Sequence, residues 1–280
     1  MTVTESVDSR PPNRRTPVAA ALRTGALATS ILVAAVIATA RAEEQEPAAD
    51  GAPIRMSWIE GDAANFNAIF SPDDSKPIGI IEFRQHLRGD TLELRRVARF
   101  HDGSSDEDSA EARVGEALVP LRGRTILRNA QGVATADLSI DVAARRVWGF
   151  AGLGDERQNF NERIELPANA YWGPLIFLVL KNFDANANDD HLVFRTVIPT
   201  PKPRVLSLEV IRQEKSTVMK AGAPVDATRY LVRPTVNWLI DPFLRILGSN
   251  SNFYVQDGSP PSFVRFIGAR NYAGQTIRIE

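Results

Sequence analysis

The chain reads as a mainly β (α+β) protein, a curved antiparallel sheet or half-barrel packed on one or two helices. Three observations predict this. Short runs of alternating or β-branched residues recur along the chain, separated by turn signals built on Gly, Asp and Pro. One stretch, Tyr171–Phe183, is almost wholly apolar with no polar stripe at helical spacing. Helical patterns are too few to alternate with the strands, which argues against βαβ units. No fixed-period repeat is visible.

Residues 1–42 carry Arg10, Arg14, Arg15 and Arg23, then an uncharged run from Thr24 to Ala40, then Ala40-Arg41-Ala42. A basic region, a short apolar core and small residues flanking the cleavage point form the pattern of a secretory signal peptide. Cleavage is expected after Ala42, and the protein is expected in the periplasm or outside the cell. The alternative is an uncleaved N-terminal membrane anchor, because the apolar run is only slightly shorter than a spanning helix. Arg14-Arg15 fits a twin-arginine signal, although Pro17 and Val18 match its flank poorly. Glu43–Pro53 is acidic and rich in Ala and Pro, too polar to bury a core. Residues 43–55 are therefore expected to be a disordered linker, and 56–280 a single β-rich domain.

Met56–Ile59 is a candidate first strand. Asn65–Lys76 has turn chemistry at Ser71-Pro72-Asp73-Asp74, with Phe66, Ile69 and Phe70 expected under the sheet. Ile78–Leu87 and Thr91–Phe100 flank Arg88-Gly89-Asp90, a hairpin signal. In the second of these strands Leu92, Leu94, Arg96, Ala98 and Phe100 share a face opposite Glu93, Arg95, Val97 and Arg99. His101–Ala110 reads as a loop by composition, and Arg113–Leu121 as the next strand. Arg124–Asn129 and Val133–Ile140 form a second hairpin about Ala130-Gln131-Gly132, and Arg145–Phe150 is another short strand. From Gly149 to Pro167 the chain reads as irregular.

Gly173-Pro174 marks the start of the apolar helix, since proline fits a first helical turn. A helix apolar on every side is buried, and this one is too short to cross a bilayer. A polar loop, Asp184–His191, leads to Leu192–Ile198, a β-branched run read as a central strand and stopped by Pro199, Pro201 and Pro203. Val205–Glu214 alternates, and Ala227–Val232 is a strand closed by Arg233-Pro234. Val236–Leu247 has near-helical spacing interrupted by Pro242. Asn252–Gln256 and Ser262–Ile267 flank a third hairpin at Asp257–Pro261, and Gln275–Ile279 closes the sheet.

There is no cysteine, which excludes disulfides, thiolate metal sites and lipidation at a processed N-terminal cysteine. Residues 1–42 hold five arginines against Glu5 and Asp8, which leaves 28 basic and 32 acidic side chains in the remainder. That balance, without a Lys/Arg block or a basic amphipathic helix, excludes nucleic-acid binding and argues against membrane-surface attachment.

The late Trp238, Asp241-Pro242, the Asp257-Gly258 hairpin and the closing strand give the region from Ile78 onward a resemblance to certain uncharacterised periplasmic β-rich families. In element order it is similar to the half-barrel of lipoprotein-carrier proteins, in which a curved sheet closes over a helix and cups a lipid. The resemblance implies the fold and an apolar cargo; no functional residue is carried over from it.

Among the chemistry-bearing residues, Ser104 and Ser105 beside His101 and Asp102 lack the strained nucleophile turn of a serine hydrolase. His86 and His101 are placed to approach across a hairpin, but no His-Glu-x-x-His pair is present. Asp184, Asn186, Asn188 and Asp190 offer oxygen ligands at alternate positions and suit calcium, the one cofactor the sequence suggests. The loop departs from the EF-hand pattern, with Asp189 at the glycine position and Arg195 at the glutamate position. It reads equally as a helix-terminal loop. Glu162, Glu165, Asp241 and Asp257 are acids available to an envelope hydrolase, with none assigned as acid or base.

The reading that best unites these observations is a non-enzymatic exported binding protein for an apolar or lipid-like ligand. Tyr171, Trp172, Phe177 and Trp238 are the candidate ligand-binding residues. An envelope hydrolase of carbohydrate or ester, and a structural module that binds an envelope protein partner, are the alternatives. The apolar run Leu175–Leu180 exceeds what one packed face requires, so its surplus is expected to face a cavity.

Overall fold

The computed structural model describes residues 51–58, 61–198, 203–220, 222–235, 250–271 and 274–280. Its strands in chain order are β1 (Ala63–Phe70), β2 (Pro77–Arg88), β3 (Thr91–Phe100), β4 (Ser105–Arg113), β5 (Val119–Arg128), β6 (Ala134–Asp141), β7 (Arg146–Ala151) and β8 (Gln158–Arg163). After the helix α1 (Leu175–Lys181) come β9 (His191–Ile198), β10 (Arg204–Lys220), β11 (Ala223–Pro234), β12 (Ser251–Gln256), β13 (Ser262–Ala269) and β14 (Thr276–Ile279). All belong to one antiparallel sheet in the order β8 down to β1, then β14 down to β9.

The chain therefore builds two meanders. β1 to β8 step outward in one direction, and β9 to β14 step back from the far edge until β14 meets β1. That seam pairs Ile69 with Ile279 and Phe70 with Arg278, and Ala68 and Glu280 exchange two backbone hydrogen bonds of 3.0 and 3.1 Å. The sheet is curved and unclosed, with β8 and β9 as its edges.

The segment between β8 and β9 carries α1 through the concave side. Gly173 takes φ = 50° just ahead of it, and Pro174 occupies the N-cap. Leu175, Leu178, Val179 and Leu180 are fully buried. Aromatic contacts tie this segment to both meanders. The Phe177 ring lies 5.7 Å from Phe83 of β2, 6.0 Å from Phe253 of β12 and 5.2 Å from Phe263 of β13, centroid to centroid. Phe183 lies 4.9 Å from Tyr230 of β11.

Several expectations are corrected. β9 is an edge strand, although its apolar run marks it as central. The stretch before the helix covers it: the Tyr171 N–H donates to the Arg195 carbonyl (2.8 Å), and the Arg195 N–H donates to that of Asn169 (3.0 Å). Phe194 and Val197 are fully buried on this edge strand, and its edge is occupied at Arg195 by that segment. Asn65–Phe70 lies in β1, and the turn follows it at Ser71–Asp74 as expected, with the Asp74 N–H donating to the Ser71 carbonyl (3.3 Å). Ile69 points inward, but Phe66, of opposite parity, is 65% exposed.

Ser105–Arg113 is strand rather than loop, Gln158–Arg163 is strand rather than irregular, and Val114–Leu118 is the connection rather than a strand. Met56–Trp58 forms no strand. It is pinned to the helix end, where the Ser57 N–H donates to Asn182 Oδ1 (2.7 Å) and Trp58 Nε1 to the Lys181 carbonyl (3.1 Å). Ile54 is buried and Arg55 bridges Ala117, so the fold extends to Ile54 at least rather than starting at Met56. The Val236–Leu247 helix, Trp238 and Asp241-Pro242 lie outside the described residues. No described helix is long and apolar enough to cross a membrane.

Candidate functional site

Alternation along β4 sets the character of the concave side. Asp106, Asp108, Ala110 and Ala112 point inward, and each is at most 4% exposed. Two carboxylates thus enter an apolar interior, where an unpaired charge is untenable. Both are paired. Asp108 stands opposite Arg96 on β3 and Thr125 on β5. Arg96 donates to its Oδ2 through Nε (2.9 Å) and Nη2, and the Thr125 hydroxyl donates to its Oδ1 (2.7 Å). Asp106 receives Arg270 through Nε (2.9 Å) and Nη2 (2.8 Å), a two-pronged pair that matches guanidinium to carboxylate geometry. The Arg270 guanidinium also lies 3.6 Å over the Phe100 ring.

Two cavities open beside this polar row, one on each side of Phe177. The first, of about 390 Å³, has an apolar wall of Ile81, Phe83, Phe177, Leu178, Phe263 and Ile279. Toward its exposed side stand Asn65, Asn67, Lys181, Lys220 and Ser262. The second, of about 220 Å³, lies toward the N-terminus of α1 against Ile176, Leu206, Leu208, Phe253 and Phe266, with Asp106, Asp108 and Arg270 on its polar side. Arg96, Phe177 and Ile279 border both. The surplus apolar surface of α1 therefore does face open space, through Ile176 and Phe177, which are only partly buried.

The other candidate binding residues have different surroundings. Tyr171 is fully buried; its hydroxyl accepts from the Ile54 N–H (2.8 Å) and donates to the Leu118 carbonyl (3.0 Å). Burial pushes this phenol up to about 12, only partly opposed by the Ile54 hydrogen bond. Trp172 is buried against Gly123 of β5, where a Cβ would lie 1.8 Å from the indole nitrogen. Both residues pack the core and line neither cavity.

The oxygen-rich loop after α1 is occupied by protein groups. The Asn186 carboxamide accepts from the Arg55 N–H (2.7 Å) and donates to the Arg55 carbonyl (2.9 Å), while Asp184 and Asp190 both pair with Arg212. Asn188 exchanges backbone hydrogen bonds with His191. Among the described residues no cluster of three or more His, Asp or Glu is placed to hold a metal.

His86 pairs with Asp62 (2.9 Å) near the tip of the β2–β3 hairpin, whereas His101 sits at its other end, its N–H on the Ile78 carbonyl. The two histidines do not meet. Glu162 lies on β8, Glu165 faces Arg145 at 3.7 Å, and Asp257 is held by Lys215 at 2.5 Å; none lines either of these two cavities. The hydrogen bond from Lys215 keeps the Asp257 carboxyl below its ordinary range.

Sequence reasoning found Phe177 but missed Arg96, Asp106, Asp108 and Arg270. The available signal was the period-two spacing of Asp106, Asp108, Ala110 and Ala112, masked by the absence of large apolar residues.

Fold and cavities together define a class: a curved, unclosed antiparallel sheet wrapped on a buried helix, with apolar cavities between them. No family model and no curated protein matches the chain. Among solved structures it is similar to a beta-barrel-like protein of the domain of unknown function DUF1849 from Brucella abortus. The TM-score is 0.45 at 8% identity, with 81% of this chain and 96% of that chain covered. The superposition is loose, and neither residues nor activity transfer from it. None of these comparisons links the chain to lipoprotein carriers.

Proposed function

We propose that the chain is an exported, non-enzymatic binding protein for an apolar or lipid-like ligand held between α1 and the concave sheet. The observation that supports this most directly is the pair of cavities flanking Phe177, with apolar walls from both meanders. Concave, mostly apolar cavities of some 300–1,000 Å³ with a few fixed polar groups are where small ligands bind. The basic-then-apolar N-terminal pattern supports export.

The test is native and denaturing mass spectrometry of protein recovered from the cell envelope, beside titration with the neutral apolar dye N-phenyl-1-naphthylamine. An extra mass that extracts into organic solvent, together with saturable dye binding, is expected. The bare polypeptide mass without dye binding would overturn the reading, and an extra mass of 40 Da lost to chelator would instead point to calcium.

A second reading, a module that docks an envelope protein partner, is favoured by one observation. Phe66 and Ile80, on the outer face of β1 and β2, are 65% and 50% exposed. Phe66→Ser should leave dye binding unchanged, and it should abolish association if that face is the docking surface.

A further inference from the structure

We infer that the cargo is a single-chain amphiphile with an anionic head, the head lying at Lys220 and the chain lying along Phe177. This rests on the apolar-ligand reading and adds the chemistry of the ligand's polar end. Lys220 closes the long strand β10 at the exposed side of the larger cavity, and Lys181 closes α1 beside it. The hydrogen bonds of the Lys220 ammonium go to neutral groups, Gln256 Oε1 and Ser262 Oγ, each at a long 3.4 Å. No carboxylate pairs with it among the described residues.

Asp62, the one acid on this cavity among the described residues, is engaged elsewhere: it accepts the Leu87 N–H (2.8 Å) and faces His86 (2.9 Å). The deeper wall of Ile81, Phe83, Phe177 and Phe263 offers nothing to a charge. Arg96, also on the cavity, is bound to Asp108.

The arrangement sorts a ligand by its two ends. A charged group stays at the wet rim, because the apolar interior gives it no partner to replace its water. A hydrocarbon chain gains by leaving water, and the gain grows with each CH₂ buried. The positive rim then selects the sign of the head, and Asn65, Asn67 and Ser262 supply hydrogen-bonding groups around it.

Displacement of N-phenyl-1-naphthylamine from the full chain at pH 7.5 tests this with four competitors: hexadecanoate, hexadecanol, acetate and inorganic phosphate. Hexadecanoate should displace the dye at about one-tenth the concentration hexadecanol needs. In Lys220→Gln that preference should shrink to about twofold with hexadecanol unchanged, and raised salt should shrink it in the parent chain. Equal potency of acid and alcohol in the parent chain, or a preference that survives the substitution, would overturn the inference and leave the apolar-ligand reading standing. Displacement by acetate or phosphate as effective as that by hexadecanoate would also overturn it, marking a free-anion site. Failure of the dye itself to bind would overturn the apolar-ligand reading and this inference with it.

Discussion

Arg270 clasps Asp106 with two hydrogen bonds of 2.9 and 2.8 Å although 164 residues separate them along the chain. The pair joins the end of β13 to β4, so it ties one meander to the other through the interior. With Asp106 2% exposed, neither partner can lose the other cheaply. Arg270→Met should cost about 3–5 kcal/mol, because it leaves a buried carboxylate uncompensated. The double variant Asp106→Leu/Arg270→Met should recover most of that loss, since two apolar groups carry no desolvation penalty. Urea denaturation of the parent and both variants checks the cycle, and a double variant no more stable than the single one would contradict it.

Tyr171 acts as a polar pin between the N-terminal segment and the β4–β5 connection. Tyr171→Phe strands the Ile54 N–H and the Leu118 carbonyl and should cost about 1–3 kcal/mol. The phenol also sets an alkaline limit. Its native value is raised from 10.0 to about 12, so its contribution is complete below 10 and is lost as pH climbs toward 12. The loss is of order 2–3 kcal/mol by linkage. Tyr171→Phe should therefore show a flatter alkaline decline than the parent chain in denaturant titrations; parallel declines would exclude this assignment.

Gly123 has a steric reason to be glycine. A Cβ there would meet the Trp172 indole nitrogen at 1.8 Å, so Gly123→Ala must displace a fully enclosed ring. Overpacking of this kind costs roughly 1–3 kcal/mol. Reduced stability with an altered near-ultraviolet tryptophan signal is expected, and a variant with unchanged stability would show that β5 yields instead.

Phe177 divides the interior into two spaces. Phe177→Ala should join them, destabilise by about 3 kcal/mol, and improve binding of long-chain over short-chain alcohols. Dye displacement across a series of alcohols measures this. Unchanged chain-length preference would mean that the cavities do not communicate through this position. Phe177→Asp should abolish dye retention and cost more stability than Phe177→Ala, since it sets an unpaired charge against Phe83, Phe253 and Phe263.

Much of the architecture was legible in the residues. β3 runs from Thr91 to Phe100 as its alternation indicates, the Gly89 and Gly132 turns fall where predicted, and the apolar Leu175–Leu180 run is a buried helix. What escaped has a physical cause. β4 is written in Asp, Glu, Ser and Ala, so its inward face is polar and its burial depends on arginines supplied by β3 and the β13–β14 connection. β9 is apolar like a central strand because residues 169–171, distant in no obvious pattern, cover its edge. Tyr171 and Trp172 look like ligand platforms in sequence, yet Ile54, Leu118 and Gly123 enclose them. Phe177 differs only in having open space beside it, which no local pattern encodes.

The seam between β1 and β14 has a kinetic consequence. Every other described strand pairing joins neighbours in sequence, so each closes a short loop and can form early. The seam alone brings together positions about 210 residues apart. For a flexible chain, closing a loop of that length costs roughly 5 kcal/mol, against about 2 for ten residues. Each meander can therefore assemble at the pace of a hairpin, whereas their union waits on one slow encounter. Until it occurs, α1 is enclosed from one side only and its hydrocarbon faces solvent, a period in which a captured amphiphile would speed folding rather than follow it.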